Sequence, residues 1–251
     1  KFRVSGRGEL HLAILLETMR REGYELAISR PQVILKTVDD IQMEPFENLT
    51  VDVEEGHQGA VMEALGTRGA ELRDMQPDGK GRVRIDYRIP SRGLIGFQTD
   101  FRTLTSGTGL MHHVFEDYAP HRGGELARRA NGVLISNGQG KALGFALFNL
   151  QERGRLCISH GDTVYEGQIV GLHSRDNDLT VNPMKGKQLS NVRAAGKDER
   201  IQLTPPMQLS LEQAMEFIDD DELVEITPGS LRLRKRFLKE HERKRAANQR
   251  L

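Results

Sequence analysis

The sequence predicts an α+β protein made of several small domains. Its 251 residues suit two or three domains of about 100 residues each. Only 37% of the residues are hydrophobic and none is Trp, so one large core would lack apolar material. Between residues 37 and 120, segments with strand and helix periodicity follow one another in the order β-α-β-β-α-β. Small domains, each with a sheet and its helices, fit these observations best.

Charge and cysteine content narrow the functional classes. The 36 basic and 36 acidic residues give a formal net charge of zero, so nucleic-acid binding would need local basic patches. The one cysteine, Cys157, excludes an internal disulfide framework, and its strand-like surroundings favour a buried small hydrophobe. No run is apolar enough to cross a membrane and no signal peptide opens the chain, so we expect a cytoplasmic protein. Because the first residue is Lys1 rather than Met, we also expect a longer parent protein.

Residues 1–36 predict half of a domain. Residues 2–5 are typical of a strand end, and residues 9–22 have the apolar spacing of a helix. Gly23 is its expected C-cap, and residues 24–35 are strand-like. One strand-helix-strand unit cannot cover both its helix and its sheet edge, so we expect its missing half to lie upstream.

Residues 37–120 predict a complete split βαβ domain of the ferredoxin-like type. A short acidic linker at 36–45 leads into its first strand. Its expected elements are a strand at 48–53, a helix at 57–68, strands at 70–75 and 82–89, a helix at 91–104 and a strand at 110–118. Residues 76–79 predict a turn, because Pro fixes φ and Gly accepts a positive φ. Ser91 is the expected N-cap of the second helix.

Residues 121–251 predict a β-rich body with a long loop and a basic tail that begins at Arg234. We expect β segments at 133–136, 142–150, 155–159 and 169–173, a hairpin between Gly161 and Gly167, and a return strand at 202–204. Ser210 and Gln213 form a capping box for a helix that ends near residue 218. Two short strands at 223–226 and 230–233 flank a Pro-Gly turn.

The segment 174–201, here called the arm, is the strongest candidate for function. It is long, polar and punctuated by Pro and Gly, and loops of this kind are usually functional or disordered. Between Pro183 and Gly196 its charged residues are Lys185, Lys187 and Arg193. Cations on a flexible arm suit a partner with many phosphates. A solvated surface loop remains the alternative, because the flanks carry balanced charges: Asp176, Asp178, Asp198 and Glu199 against Arg175, Lys197 and Arg200.

Other patterns favour structure over chemistry. The adjacent His112 and His113 point to opposite faces of a strand and cannot share a metal ion. Gly140-Lys141 lacks the remainder of a phosphate loop, so this chain has no GTP site of that kind. A hydrolase hypothesis rests on Cys157, His160 and Asp162, which lie in a turn region without an oriented triad.

Several motifs resemble translation factors. SGRGELHL at 5–12 and RPQV at 30–33 resemble domain III of the elongation factor G class. A second set of motifs resembles domain V of that class, and its members include Glu44-Pro45, Arg68-Gly69, Gly96-Phe97, Gly107 and Tyr118. The segment that begins GLHSRDNDLTVNPMKGKQ at residue 171, with LEQAMEFIDDDELVEITP further on, resembles the C-terminal domain of the BipA/TypA family.

The resemblance implies three parts: the second half of a ferredoxin-like domain III (1–36), a complete ferredoxin-like domain V (37–120) and a family-specific β-rich C-terminal domain with a long basic loop (121–251). It implies a monomeric, ribosome-associated GTPase for large-subunit biogenesis and stress adaptation, which lies away from membranes. GTP and Mg²⁺ belong to a G domain absent from this chain, which is therefore expected to hold no cofactor and to do no chemistry.

In this family the arm is expected to reach large-subunit rRNA and the acceptor end of an A-site tRNA. The RNA-facing residues carried over by the resemblance are Asn182, Lys185, Lys187, Arg193, Lys197 and Arg200. Arg234, Lys235 and Arg236 are further expected ribosome contacts. The alternative is a regulatory module that binds a small molecule, because ferredoxin-like units also serve that purpose.

Overall fold

The computed structural model describes residues 2–124, 126, 129, 131–186 and 202–248. The first half contains α1 (Glu9–Arg21), β1 (Leu26–Ser29), β2 (Lys36–Val38), β3 (Ile41–Glu54), α2 (Gln58–Thr67), β4 (Glu71–Pro77), β5 (Arg82–Pro90), α3 (Ser91–Leu94), α4 (Phe97–Leu104) and β6 (Leu110–Pro120). The second half contains β7 (Val133–Ser136), β8 (Gly140–Lys141), α5 (Gly144–Leu150), β9 (Gly154–Leu156), β10 (Thr163–Val164), β11 (Ile169–His173), β12 (Leu179–Val181), α6 (Leu211–Phe217), β13 (Glu222–Thr227), β14 (Ser230–Lys235) and α7 (Glu240–Asn248). This mixture of helices and sheets confirms the α+β class. Among the described residues, no helix has the length and apolar character needed to cross a bilayer.

The first large sheet has the split βαβ arrangement. Its strands lie in the order β6-β3-β5-β4, and every neighbouring pair is antiparallel. The alternation along β5 places Val83, Ile85, Tyr87 and Ile89 on the buried face. The helices α2 and α4 cover that face, because Val61, Leu65, Phe97 and Phe101 join the same core. The period-two pattern of the sequence thus predicted the inner face of this sheet.

Three local predictions in this region were wrong. The expected linker at 36–45 is a β2-β3 hairpin, whose turn residues Asp39 and Asp40 both have positive φ, at 49° and 61°. The expected helix at 91–104 is interrupted at Gly96, which has φ 75°, and Ser91 makes no side-chain cap. The expected turn at 76–79 lies two residues later, because the Asp78 carboxylate accepts hydrogen bonds from the backbone N–H groups of Lys80 and Arg82.

The second large sheet has the order β12-β7-β11-β9, and its two central strands, β7 and β11, are buried on both faces. Val133 and Ile135 of β7 join one core, and Leu134 joins another. This explains the uninterrupted apolar run of β7, because a strand covered on both sides needs no polar alternation.

Several β predictions in this region were wrong. Residues 142–150 form the helix α5 rather than a strand, since a short apolar run does not distinguish the two. The segment between Gly161 and Gly167 makes no local hairpin, because β10 pairs with β8. The strand expected at 155–159 shortens to β9, and residues 202–204 contain no strand.

The third sheet joins the two ends of the chain. β1 pairs antiparallel with β13, which continues into β14 in the order β1-β13-β14. Ala13 of α1 lies in one core with residues of α6 and this sheet, namely Leu211, Ala214, Met215, Ile218, Val224, Ile226 and Leu233. Residues 2–5 form no strand, and Phe2 is 96% exposed. One edge of β1 pairs with β13 of the C-terminal hairpin, and β1 is the terminal strand of this sheet among the described residues.

Candidate nucleic-acid interface at the base of the arm

The first part of the arm is ordered by a strand. β12 pairs in parallel with β7, with Leu179 opposite Leu134 and Val181 opposite Ser136. The arm, expected to be one long loop, therefore contains a short strand at residues 179–181. The predicted contacts Lys187, Arg193, Lys197 and Arg200 lie outside the described residues.

The two ends of helix α5 contact two short segments: the first limb, residues 174–186 of the arm, and the second limb, residues 202–204, which follow the arm in the sequence. At its N-terminal end, the backbone N–H of Leu143 donates to the carbonyl of Pro183 at 2.9 Å. At its C-terminal end, the Gln151 side chain donates to the carbonyl of Gln202 at 3.2 Å and accepts from the N–H of Thr204 at 3.0 Å. A helix of seven residues is about 10 Å long. The length of α5 therefore sets the spacing of the two limbs.

A tight turn precedes the first arm cation. The side-chain oxygen of Asn182 accepts from the backbone N–H of Met184 at 2.9 Å, so Asn182 shapes this turn. The Met184 thioether packs against Gly140, where an added Cβ would lie 2.7 Å from its sulfur. Lys185 follows and is exposed, with no carboxylate partner in the part of the chain that the structure describes. Lys185 thus leaves a fixed base as a free cation.

A buried ammonium group lies beneath the first limb. Lys235 is 3% exposed, and its Nζ contacts Asp178 at 2.6 Å, Glu222 at 3.0 Å and Asp221 at 3.1 Å. Burial lowers the pKa of Lys235, but the carboxylates of Glu222, Asp221 and Asp178 outweigh it and raise the pKa above its usual value. The structure therefore argues against Lys235 as a ribosome contact. Asp178, one of the acidic residues expected to balance the basic residues of the arm, pairs with Lys235.

The same cluster anchors the segment that precedes β7. Arg129 makes a two-pronged pair with the fully buried Glu222, at 2.8 and 2.9 Å. Its guanidinium also lies 4.6 Å from the ring centre of Phe217. Three distant segments of the chain therefore meet at Glu222 and Lys235.

The basic tail folds back onto the arm. Arg234 pairs with Glu225 at 2.6 Å, whereas Arg236 is exposed. In α7, Arg243 donates to the hydroxyl of Thr180 on β12 at 3.4 Å and to the carbonyl of Phe237 at 3.3 Å. The structure thus brings two regions together that were predicted separately. The sequence did contain a signal for the burial of Lys235. Side chains two residues apart on a strand share a face, so Lys235 falls on the same face as the apolar Leu233.

The hydrolase hypothesis finds no activated nucleophile. Burial raises the pKa of the Cys157 thiol to about 12, whereas nucleophilic attack needs the thiolate. The Asp162 carboxylate accepts from the backbone N–H of Ser159 at 2.7 Å and so stabilises a turn.

His113 has a structural partner rather than a metal ion: its Nδ1 lies 2.5 Å from Glu47 Oε2. Within the described ranges, no group of three or more His, Cys, Asp or Glu side chains is arranged to hold a metal ion.

Two family matches cover most of the chain. Residues 41–129 match the family described as elongation factor G C-terminus, and residues 131–240 match the TypA/BipA C-terminal domain. These two matches are to C-terminal domains of BipA/TypA proteins and of elongation factor G, and they confirm the resemblance seen in the sequence.

Relatives in several bacteria carry one name. The chain is 64% identical over 245 residues to "Large ribosomal subunit assembly factor BipA" of Salmonella typhimurium. It is 65% identical over 246 residues to the protein of that name in Haemophilus influenzae, and 59% identical over 245 residues to that in Buchnera aphidicola. Each alignment covers 98% of this chain and 40% of the relative, so the chain spans two fifths of these proteins. A crystal structure from Thermus thermophilus aligns with 33% of this chain and 12% of its own, at 22% identity and a TM-score of 0.32.

Proposed function

We propose that this chain is the ribosome-binding C-terminal region of a factor for large ribosomal subunit assembly and stress response. The observation that carries the proposal is 64% identity over 98% of the chain to proteins named for that assembly role. The match to the TypA/BipA C-terminal domain includes the arm and its base. On this proposal the protein is monomeric and cytoplasmic, and its partner is the large subunit.

The arm binds rRNA and the acceptor end of a tRNA through phosphate contacts. Its fixed base supports this role, because α5 holds both limbs and Lys185 is exposed without an acidic partner among the described residues. The segment 174–201 contains no aromatic residue, so base stacking is not its mode of binding. The proposed contacts are Asn182, Lys185, Lys187, Arg193, Lys197, Arg200 and Arg236.

Nucleotide chemistry belongs to the remainder of the parent protein. The chain spans 40% of its curated relatives, and we propose that GTP, Mg²⁺ and the hydrolysis step lie in the other part. This chain then acts as a binding element and does no chemistry. Its contribution is electrostatic, and its affinity must fall steeply with salt.

Co-sedimentation with purified large ribosomal subunits across a salt series tests this proposal. We expect wild-type binding, and a Lys185→Gln variant should reduce the slope of log K against log salt by about 0.7 to 0.9, the loss of one phosphate contact. Lys80→Gln is the matched control, because Lys80 is an exposed lysine in the β4-β5 turn. An unbound wild-type chain would refute the proposal. An unchanged salt slope for Lys185→Gln would show that Lys185 contacts no phosphate, and the base of the arm would no longer be part of the proposed interface.

The regulatory-module alternative makes the opposite prediction. A ferredoxin-like unit that binds a metabolite would show a ligand-induced rise in melting temperature with that metabolite and none with RNA. Measuring both shifts on the same preparation separates the two functions.

A further inference from the structure

A second basic feature lies where β11 ends and the arm begins. An open cavity of about 360 Å³ is located there, and it is lined by Glu152, Arg153, His173, Ser174, Arg175 and Asn177. Arg153 and Arg175 come from different turns, yet both line this cavity. Lys185 is not among the described residues that line it.

Backbone contacts fix the walls of this cavity. The N–H of Ser174 donates to the carbonyl of Arg153 at 2.9 Å, and the N–H of Gly132 donates to the carbonyl of Arg175 at 2.8 Å. The His173 ring lies 2.6 Å from the carbonyl of Asn177. An added Cβ on Gly132 would collide with the backbone of Asn177, so the two turns approach as closely as glycine permits. The two arginines are therefore presented from preorganised turns.

Both guanidinium groups are free to bind an anion. Arg153 and Arg175 are exposed, and neither forms an ion pair with any carboxylate in the described ranges. Asp178, one of the acidic residues in the arm, pairs with Lys235 at 2.6 Å. Glu152 is the one carboxylate among the described residues that line the cavity, so two cations face one anion.

We propose that Arg153 and Arg175 together bind one backbone phosphate of ribosomal RNA. The planar guanidinium fork matches two phosphate oxygens, and two forks from separate turns grip one phosphate from two sides. This site rests on the proposed ribosome-binding function and deepens it. It adds a phosphate contact at the start of the arm, at two residues that are not among the RNA-facing residues implied by the family resemblance.

Binding to purified large ribosomal subunits, measured with the full chain across a salt series, tests the site. We expect Arg153→Gln and Arg175→Gln each to weaken binding about tenfold. Since both groups serve one phosphate, the double variant should lose less than the product of the two single losses. Its salt slope should fall by about 0.7 to 0.9. Glu152→Gln should tighten binding, because it removes the opposing carboxylate.

Arg155→Gln is the matched control. Arg155 is exposed on β9, two residues from Arg153, and is not among the residues that line the cavity. We expect its binding to stay within about twofold of wild type. If the Arg155, Arg153 and Arg175 variants lose equal affinity, the loss reflects net charge alone, and the proposed site is overturned. Unchanged binding in both cavity variants overturns the site but leaves the proposed function intact. A wild-type chain that does not bind overturns both.

Discussion

Replacing Glu9 by Gln tests the electrostatics of the junction between α1, α6 and the ferredoxin-like sheet. Glu9 opens α1, and its Oε1 is buried without a hydrogen-bond partner among the described residues. Burial, followed by the nearby carboxylate of Glu216, raises the pKa of Glu9 to about 7. Arg30 and His113 offset part of this rise. The folded protein therefore holds a proton on Glu9 that the unfolded chain releases at lower pH.

The shift fixes the sign and size of the effect. A carboxyl whose pKa rises from 4.5 to about 7 on folding contributes stability that is complete below pH 4.5 and is lost as pH rises through 7. That shift corresponds to about 3 kcal/mol at most. Solvent screening reduces this value, because Glu9 is only half-buried. Between pH 5 and pH 8 we therefore expect the free energy of unfolding of wild type to fall by about 2 kcal/mol more than that of Glu9→Gln.

Urea unfolding at pH 5 and pH 8, followed by circular dichroism, measures this difference. His113 also loses stabilising charge as pH rises, since its hydrogen bond with Glu47 raises its pKa; Glu9 is the smallest cause of that rise, so most of this loss is shared by both proteins. Glu22→Gln, at the exposed C-terminal end of the same helix, is the control and should parallel wild type. If wild type and Glu9→Gln lose equal free energy between the two pH values, the buried-carboxyl reasoning is wrong.

Three further substitutions test the packing described above. Lys235→Met should destabilise the chain by about 3 kcal/mol in urea unfolding, because the buried Glu222 then keeps only Arg129 as a cationic partner and Asp178 and Asp221 lose theirs, whereas Arg236→Gln should cost under about 0.5 kcal/mol; similar losses would contradict the buried cluster. Gln151→Ala should speed hydrogen exchange at residues 202–204 and cost about 1 kcal/mol, whereas unchanged exchange there would show that Gln151 does not hold the second limb. Ser210→Ala should cost about 1 kcal/mol by removing the capping box observed at α6, and a thermal melt that matches wild type would refute that contribution.

Features encoded within a few residues were predictable from the sequence. The alternation along β5 identified its buried face, since side-chain direction in a strand follows from position alone. The Ser210–Gln213 capping box was predicted and is present, because both partners lie within one helical turn. Gly23 follows α1 with φ 94°, as expected for a C-terminal glycine.

Features that depend on distant partners were not predictable. β1 finds its neighbour in β13, and no pattern in residues 24–35 specifies that pairing. The run at 142–150 folds as a helix because it packs on a sheet completed by β9, β11 and β12. Gly96 interrupts a helix where Glu216 approaches, since an added Cβ would lie 3.2 Å from that carbonyl oxygen. Each outcome is decided by tertiary contact rather than by local preference.

The placement of the first limb, residues 174–186, follows from the charges that pair beneath it. Asp178 belongs to the arm, Lys235 ends the C-terminal hairpin, and Arg129 precedes β7. Each buried charge is costly alone, and its desolvation is offset only when its partners arrive with good geometry. The position of the first limb therefore depends on two other parts of the chain, the C-terminal hairpin that carries Lys235 and the residue Arg129 before β7. Because the paired strands and α5 constrain the same limb, the cations that follow start from a position set by the whole C-terminal region rather than by the arm sequence.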